Sequence, residues 1–275
     1  MGQDRTPAGG LRVTTDRRPL REVLADPTTR LTATFLLIPR LEMVELLADA
    51  GFDAVLVDLE HGPISVDDLP GMVAAGHGAG AYVLARLGER TPATIGRVLD
   101  CGVDGVVLPH VESAADAHDA VDAARFPPDG SRSLNPYVRA AGYDGTESFL
   151  TTANAGVAVL VMVEGKDGLA ALDDIAAVAG VDAVFVGPVD LSTSLGLPGQ
   201  PEHPLVLEKV QDLMDRLART GIGTGIYCPT PHAAARWQRA GARLAALSAD
   251  IAMAGAGFRR TVEELHDLNT EGRSR

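Results

Sequence analysis

A chain of 275 residues with 46% hydrophobic content can bury a large core as one or two domains. Its formal charge of −13, with no basic run long enough to track a phosphate backbone, argues against nucleic acid and an anionic membrane surface as partners. A small anionic substrate stays open, because a site responds to its local field and not to the net charge.

Residues 1–30 read as a flexible, polar arm with one short helix at "PLREVLAD". They lack an apolar leader segment, no later run approaches the roughly 20 apolar residues of a membrane span, and Cys101 and Cys228 make no disulfide framework. A cytoplasmic chain with free thiols is expected. From residue 31 onward, short apolar runs recur: "LTATFLL" (31–37), "AVLVD" (54–58), "YVLAR" (82–86), "GVVLP" (105–109), "VAVLVMVE" (157–164), "AVFVG" (183–187), "GTGIY" (223–227) and "LAALS" (244–248). Each precedes an amphipathic or Ala-rich helical segment, at 40–50, 66–79, 92–101, 113–124, 167–178, 203–220, 230–240 and 250–268. Strict βα alternation implies parallel strands with right-handed crossovers, and eight such units imply a closed (β/α)8 TIM barrel, one α/β domain over 31–268. Residues 269–275 read as a frayed tail. A doubly wound open sheet is the competitor, but the turn after the first strand, "IPRLE", carries no glycine-rich phosphate fingerprint. The clusters "GHGAG" (76–80) and "GIGTG" (221–225) precede strands and read as helix caps and tight turns. Ser65 followed by Asp68 marks a helix start. The Pro/Gly-rich span 125–156 reads as an irregular flap.

Parallel barrels carry their chemistry at the carboxyl ends of the strands. Here the second strand ends in Asp58, Glu60 and His61, the third in Arg86, the fourth in Pro109 and His110, the fifth in Glu164, and the sixth in Gly187-Pro188-Val189-Asp190. Glu164 and Asp190 hang from neighbouring strands, roughly 5 Å apart in the ladder direction. Two carboxylates that close repel unless one is protonated or a cation lies between them, and a hard divalent ion on two protein oxygens keeps positions open for a chelating substrate. Asp190 taken alone reads equally well as a helix cap. Arg86 suits a carboxylate or a developing enolate oxygen, with a structural pair to Asp58 or Asp100 as the alternative. Asp58 beside His61 is the pattern of an oriented general base. His110 fits either a site or a structural role; His77, His118, His203, His232 and His266 read as structural. Lys166 and Lys209 are the sole lysines, and neither is placed inside the barrel, which disfavours Schiff-base chemistry.

The stretches "AGFDAVLVDLEHGP" (50–63), "LARLGE" (84–89), "IGRVLDCGVDGVVLPHVESAADA" (95–117), "RFPPDGSRS" (125–133) and "VMVEGKDGLAALDDIAAVAGVDAVFVGPVDLSTSLG" (161–196) resemble the HpcH/HpaI aldolases, the class II pyruvate aldolases. The resemblance implies a TIM barrel in a homo-oligomer, often a hexamer or trimer of dimers, that exchanges its last helix between subunits. It also implies Glu164 and Asp190 as ligands of Mg2+, Mn2+ or Co2+, Arg86 at the pyruvate oxygen, and His61 with Asp58 as the base system. The backbone of Gly187, Pro188 and Val189 matches the segment holding the substrate carboxylate. Glu60, Asp100 and Arg132 match positions nearby, Asp100 across a subunit boundary. Met162 stands where relatives commonly carry Gln, Ser133 where they carry Gly, Ala33 where they show Gly and Phe35 where they show Trp.

The implied reaction is cleavage or formation of a 4-hydroxy-2-oxo acid, giving pyruvate or a related 2-oxo acid plus an aldehyde through a metal-stabilised enolate. The alternative on the same scaffold is oxaloacetate-type decarboxylation or citramalyl-type lyase chemistry, which does not need His61. A non-catalytic binding paralogue would be expected to have lost a charged site residue, and Asp58, His61, Arg86, Glu164 and Asp190 are all present.

Overall fold

The computed structural model describes residues 17–143 and 147–271. Its eight strands are β1 (Leu31–Leu36), β2 (Ala54–Asp58), β3 (Tyr82–Arg86), β4 (Gly105–Leu108), β5 (Ala158–Val163), β6 (Ala183–Val186), β7 (Gly223–Cys228) and β8 (Leu244–Ala249). They pair in parallel, in chain order, and β8 closes on β1. The eight apolar runs of the sequence are these strands to within a residue at either end. Closure gives each strand a neighbour on both sides and leaves no free sheet edge.

The helices are α1 (Leu20–Ala25), α2 (Leu41–Asp49), α3 (Leu69–Gly78), α4 (Pro92–Asp100), α5 (Ala114–Ala124), α6 (Glu147–Gly156), α7 (Lys166–Ala170), α8 (Leu172–Ala176), α9 (Pro188–Ser194), α10 (Pro204–Ala218), α11 (Pro231–Arg239) and α12 (Asp250–Glu271). Their starts follow local chemistry. The pairs Thr91-Pro92, Gly187-Pro188, His203-Pro204 and Thr230-Pro231 each put proline at the first helical position, where its missing N–H costs nothing. Ser65 and Asp68, read as a helix start, form a reciprocal capping box that opens a 3-10 turn leading into α3.

Two apolar layers result. One lies between the barrel and its helices; the other fills the barrel interior with Phe35, Leu56, Leu84, Leu160, Met162 and Phe185. The base of the interior is closed by α1, whose Leu20 and Leu24 are fully buried against the first residues of the strands. The Arg243 guanidinium donates to the Leu24 carbonyl, and Arg21 pairs with Asp182 at 2.7 Å. The described part of the N-terminal stretch is thus packed, which corrects its reading as a loose arm. Residues 1–16, the tail beyond 271 and the part of the flap at 144–146 lie outside the described residues.

Three further expectations are corrected. The helix expected over 167–178 is two, α7 and α8, because Ala171 leaves the helical region at φ −85°, ψ 7°. The irregular span 125–156 contains α6. The expected helices left 179–202 without one, but a short helix, α9, follows β6 directly and holds Asp190 in its first turn, near where the cap reading put a helix start. Among the described residues, no helix is long and apolar enough to cross a membrane.

Candidate active site

The site grows from register. Asp58 and Arg86 are the last residues of β2 and β3 and lie opposite each other in the ladder. Their side chains leave the same end of the barrel and meet as a two-pronged pair. Arg86 Nε donates to Asp58 Oδ1 at 3.0 Å, and Nη2 donates to Oδ2 at 2.7 Å. The guanidinium also stacks 4.7 Å above the Phe35 ring. Burial opposes the charge on Arg86, but the hydrogen bonds and charge of Asp58, with Glu60 and Glu164, hold its pKa above the ordinary value. Of the two readings left open for Arg86, the pair with Asp58 is therefore present.

That pairing changes the picture of the base. Asp58 was expected to orient the imidazole of His61; instead its carboxylate faces Arg86, and Oδ1 accepts the backbone N–H groups of Glu60 and His61 at 3.1 and 3.2 Å. Asp58 shapes the loop, because a buried carboxylate next to a guanidinium gains more there than beside a half-exposed ring. The His61 ring stands at the mouth, 64% exposed, with Nε2 3.9 Å from Glu60 Oε2.

Glu60, expected only near the site, is its hub. Oε2 sits 3.3 Å from Arg86 Nε, and Oε1 sits 3.2 Å from His110 Nε2. His110 also faces Glu164, through Nδ1 at 3.0 Å and through its backbone N–H at 2.8 Å, both to Oε1. The strand-end pattern left His110 between a site and a structural role; the structure brings it to the rim on a left-handed backbone, φ 55°. Ser248, near the end of β8 and lining the cavity at the mouth, also has a left-handed backbone, φ 54°.

Glu164 is 5% exposed. Burial first, then the negative charges of Asp190 and Glu60, push its carboxyl above the ordinary carboxylate range, against the hydrogen bond and charge of His110. Asp190 lies in the first turn of α9, exposed at the mouth. Gly187, which starts that turn, has no room for a side chain: a Cβ there would lie 2.8 Å from both Cβ and Oε2 of Glu164. Pro188, Val189 and Met162 line the cavity with Asp58, His61, Arg86 and Asp190; its volume is about 300 Å³, and Phe35, Phe185 and Tyr227 form an apolar wall.

Asp100 and Arg132 are not part of this mouth. Asp100 ends α4, a helix that runs back toward the base, and pairs with Arg132 at 2.6 Å, while Arg132 packs on the Phe126 ring. Neither lysine reaches the interior: Lys166 is exposed at the start of α7, and Lys209 pairs with Glu208 on α10.

Among the described residues, no group of three or more His, Cys, Asp or Glu side chains is arranged to hold a metal. The donors that fit one are two hard oxygens of like charge, Glu164 and Asp190. Burial first, and the charge of Asp190 after it, raise the pKa of Glu164, and a dication between the two carboxylates would offset both.

Residues 32–258 match the family model described as HpcH/HpaI aldolase/citrate lyase. A 2-dehydro-3,6-dideoxy-6-sulfogluconate aldolase from Pseudomonas putida is 37% identical over 220 residues, covering 80% of this chain and 86% of its own. A pyruvate aldolase from Rhizobium etli is 36% identical over 220 residues, covering 80% and 87%. The crystal structure of an HpcH/HpaI aldolase/citrate lyase family protein from Burkholderia cenocepacia superposes with a TM-score of 0.86 at 34% identity, covering 90% of this chain and 98% of that one. Barrel, strand-end residues and similarity agree, and the chain belongs to the HpcH/HpaI aldolase/citrate lyase family.

Proposed function

We propose that this chain is a carbon–carbon lyase of the class II pyruvate aldolase type, which cleaves or forms a 4-hydroxy-2-oxo acid, with pyruvate or a related 2-oxo acid and an aldehyde on the other side. The reading rests on Asp190 and Arg86 lining one cavity at the barrel mouth and on Glu164, whose carboxyl feels the charge of Asp190 and whose Oε2 lies against Gly187 at the start of the same turn. Glu164 and Asp190 would hold Mg2+, Mn2+ or Co2+, which as a Lewis acid would polarise the 2-oxo group.

The remaining work falls to the chain's own groups. Arg86 commits Nε and Nη2 to Asp58, which fixes the plane of the guanidinium; Nη1 is the donor for the substrate oxygen that gains charge. The N–H groups of Val189 and Asp190 precede the first bond of α9, Leu191 N–H to the Gly187 carbonyl, and serve the substrate carboxylate. His61 lines the cavity from the β2 loop. In the cleavage direction its imidazole takes the proton of the C4 hydroxyl, the C4 oxygen becomes the aldehyde carbonyl, and the C3–C4 electron pair moves to the 2-oxo acid fragment, which is then protonated at C3. Glu60, 3.9 Å from Nε2, is the carboxylate that stabilises the protonated ring.

The proposal includes a homo-oligomeric, cytoplasmic enzyme that exchanges its C-terminal helix, and α12 fits that role: Ile251, Phe258, Val262, Leu265 and Leu268 are all more than half exposed along it.

Incubation of the Mn2+-loaded protein with pyruvate and a panel of aldehydes, read by mass spectrometry, is expected to give 4-hydroxy-2-oxo acids, with none formed by Glu164→Ala. Full turnover after dialysis against EDTA would sink the metal-dependent reading. Unchanged turnover in His61→Ala would shift it toward decarboxylase or citramalyl-type chemistry.

A further inference from the structure

His110 follows β4 at φ 55°, a conformation that a residue with a side chain adopts only at a steric cost. An exposed imidazole beside a carboxylate does not by itself offset such strain, because surface pairs are worth little. The left-handed turn has a specific result. It brings the residue's own N–H and ring Nδ1 onto one oxygen, Glu164 Oε1, at 2.8 and 3.0 Å. The other oxygen, Oε2, lies toward Gly187 and the turn that carries Asp190, where a Cβ on Gly187 would meet it at 2.8 Å. The two oxygens of Glu164 therefore have separate surroundings, one gripped by His110 and one turned toward α9.

We propose that His110 is a positioning residue: it clamps Glu164 through Oε1 so that Oε2 is presented to a divalent cation shared with Asp190. The inference rests on the reading of Glu164 and Asp190 as metal ligands. A glutamate side chain carries considerable rotamer freedom, and a clamp removes that freedom before the cation arrives. Hydrogen-bond partners of metal ligands typically change metal affinity by about 10- to 100-fold. The clamp also reaches sideways. His110 Nε2 meets Glu60 Oε1, and Glu60 Oε2 meets Arg86 Nε, so one chain of contacts sets the metal ligand against the cation that faces the substrate.

The test is Mn2+ binding to the full-length protein, followed by the electron paramagnetic resonance of free Mn2+, in the wild type and in His110→Gly, His110→Asn and Glu164→Ala. Glycine tolerates φ 55° without strain and keeps the backbone N–H, so His110→Gly is expected to fold with an unchanged or higher Tm. Its Mn2+ affinity is expected to fall about 10- to 100-fold. Asparagine also tolerates the left-handed region and carries an N–H donor, so His110→Asn should recover part of the loss. At saturating Mn2+ the kcat of His110→Gly should approach that of the wild type while its half-activating Mn2+ concentration stays raised. If His110→Gly binds Mn2+ as tightly as the wild type, or more tightly because the ring competes with the ion, the clamp is overturned and the metal site stands. If the wild type binds no Mn2+, or Glu164→Ala binds it equally well, the metal reading itself falls and takes the clamp with it.

Discussion

Asp58 shows how a single buried residue can be identified correctly and still do something other than its neighbours suggest. The DxEH pattern at 58–61 pointed to the mouth of the barrel, and all three polar residues are there. The pair of Asp58 with Arg86 was only one of the readings left open, and the ladder decides it, because Asp58 lies across from Arg86. Replacing Asp58 by Asn leaves the buried guanidinium with a weaker partner. We expect a stability loss of about 3–5 kcal/mol in denaturant unfolding, toward the lower end because Glu60 remains at 3.3 Å. Glu164 makes a prediction about pH. Its folded pKa lies above the unfolded value, so the proton is retained to higher pH in the metal-free fold. Metal-free stability is then fully present below the ordinary carboxylate pKa and declines as pH rises through the raised one. Mn2+ binding has the opposite trend, since the ion must expel that proton, and affinity should weaken on acidification from above the ordinary glutamate range. Tm in EDTA and Mn2+ titrations, each against pH, check both; Glu164→Gln should flatten the first.

At the scale of elements, what was legible and what was not divides by the origin of the signal. Strands buried on both faces read as continuous apolar runs, and cap-proline pairs such as Thr91-Pro92 and Thr230-Pro231 mark helix starts locally. The short α9 was missing from the expected helices, although Asp190 alone was read as a possible cap, because a seven-residue helix shows too little periodicity. The case of α1 is different: a short helix was recognised at "PLREVLAD", but its role as the plug of the barrel base comes from contacts with strand starts far along the chain. Leu24→Ala should therefore behave as a core truncation and cost about 2–5 kcal/mol, measured by thermal or urea unfolding, although it lies outside the βα repeats. A loss within a few tenths of a kcal/mol would show that α1 is peripheral.

For the whole molecule, closure of β8 on β1 brings the strand ends at 58, 86, 164 and 190 around one rim, which no stretch of sequence could show by itself. The pairing of β1 with β8 shifts register between Ala33 and Phe35, and Phe35 then joins the wall of the cavity under Arg86. Asp250, buried where β8 passes into α12, accepts the N–H groups of Leu37 and Ile38 at 3.0 and 2.9 Å and ties the last unit to the first. Beyond that junction α12 carries its apolar stripe into solvent. Phe258→Arg, at a position 72% exposed, should leave the monomer fold intact but give a smaller species by light scattering if the stripe packs against a second copy. An unchanged mass would mean that α12 does not hold an oligomer together.

Sequence alone determined the (β/α)8 class, the boundaries of the strands and the residue types at their carboxyl ends, because apolar period, capping and turn chemistry act over a few neighbours. Only the tertiary structure decided that Asp58 serves Arg86 and the loop, that Glu60 and His110 link the rim, and that Asp100 and Arg132 lie away from it. Those outcomes depend on strand register, on a left-handed backbone at His110 and on which end of α4 a residue occupies. Each is set by packing between segments distant in the chain, where the competition is among burial, charge pairing and backbone strain.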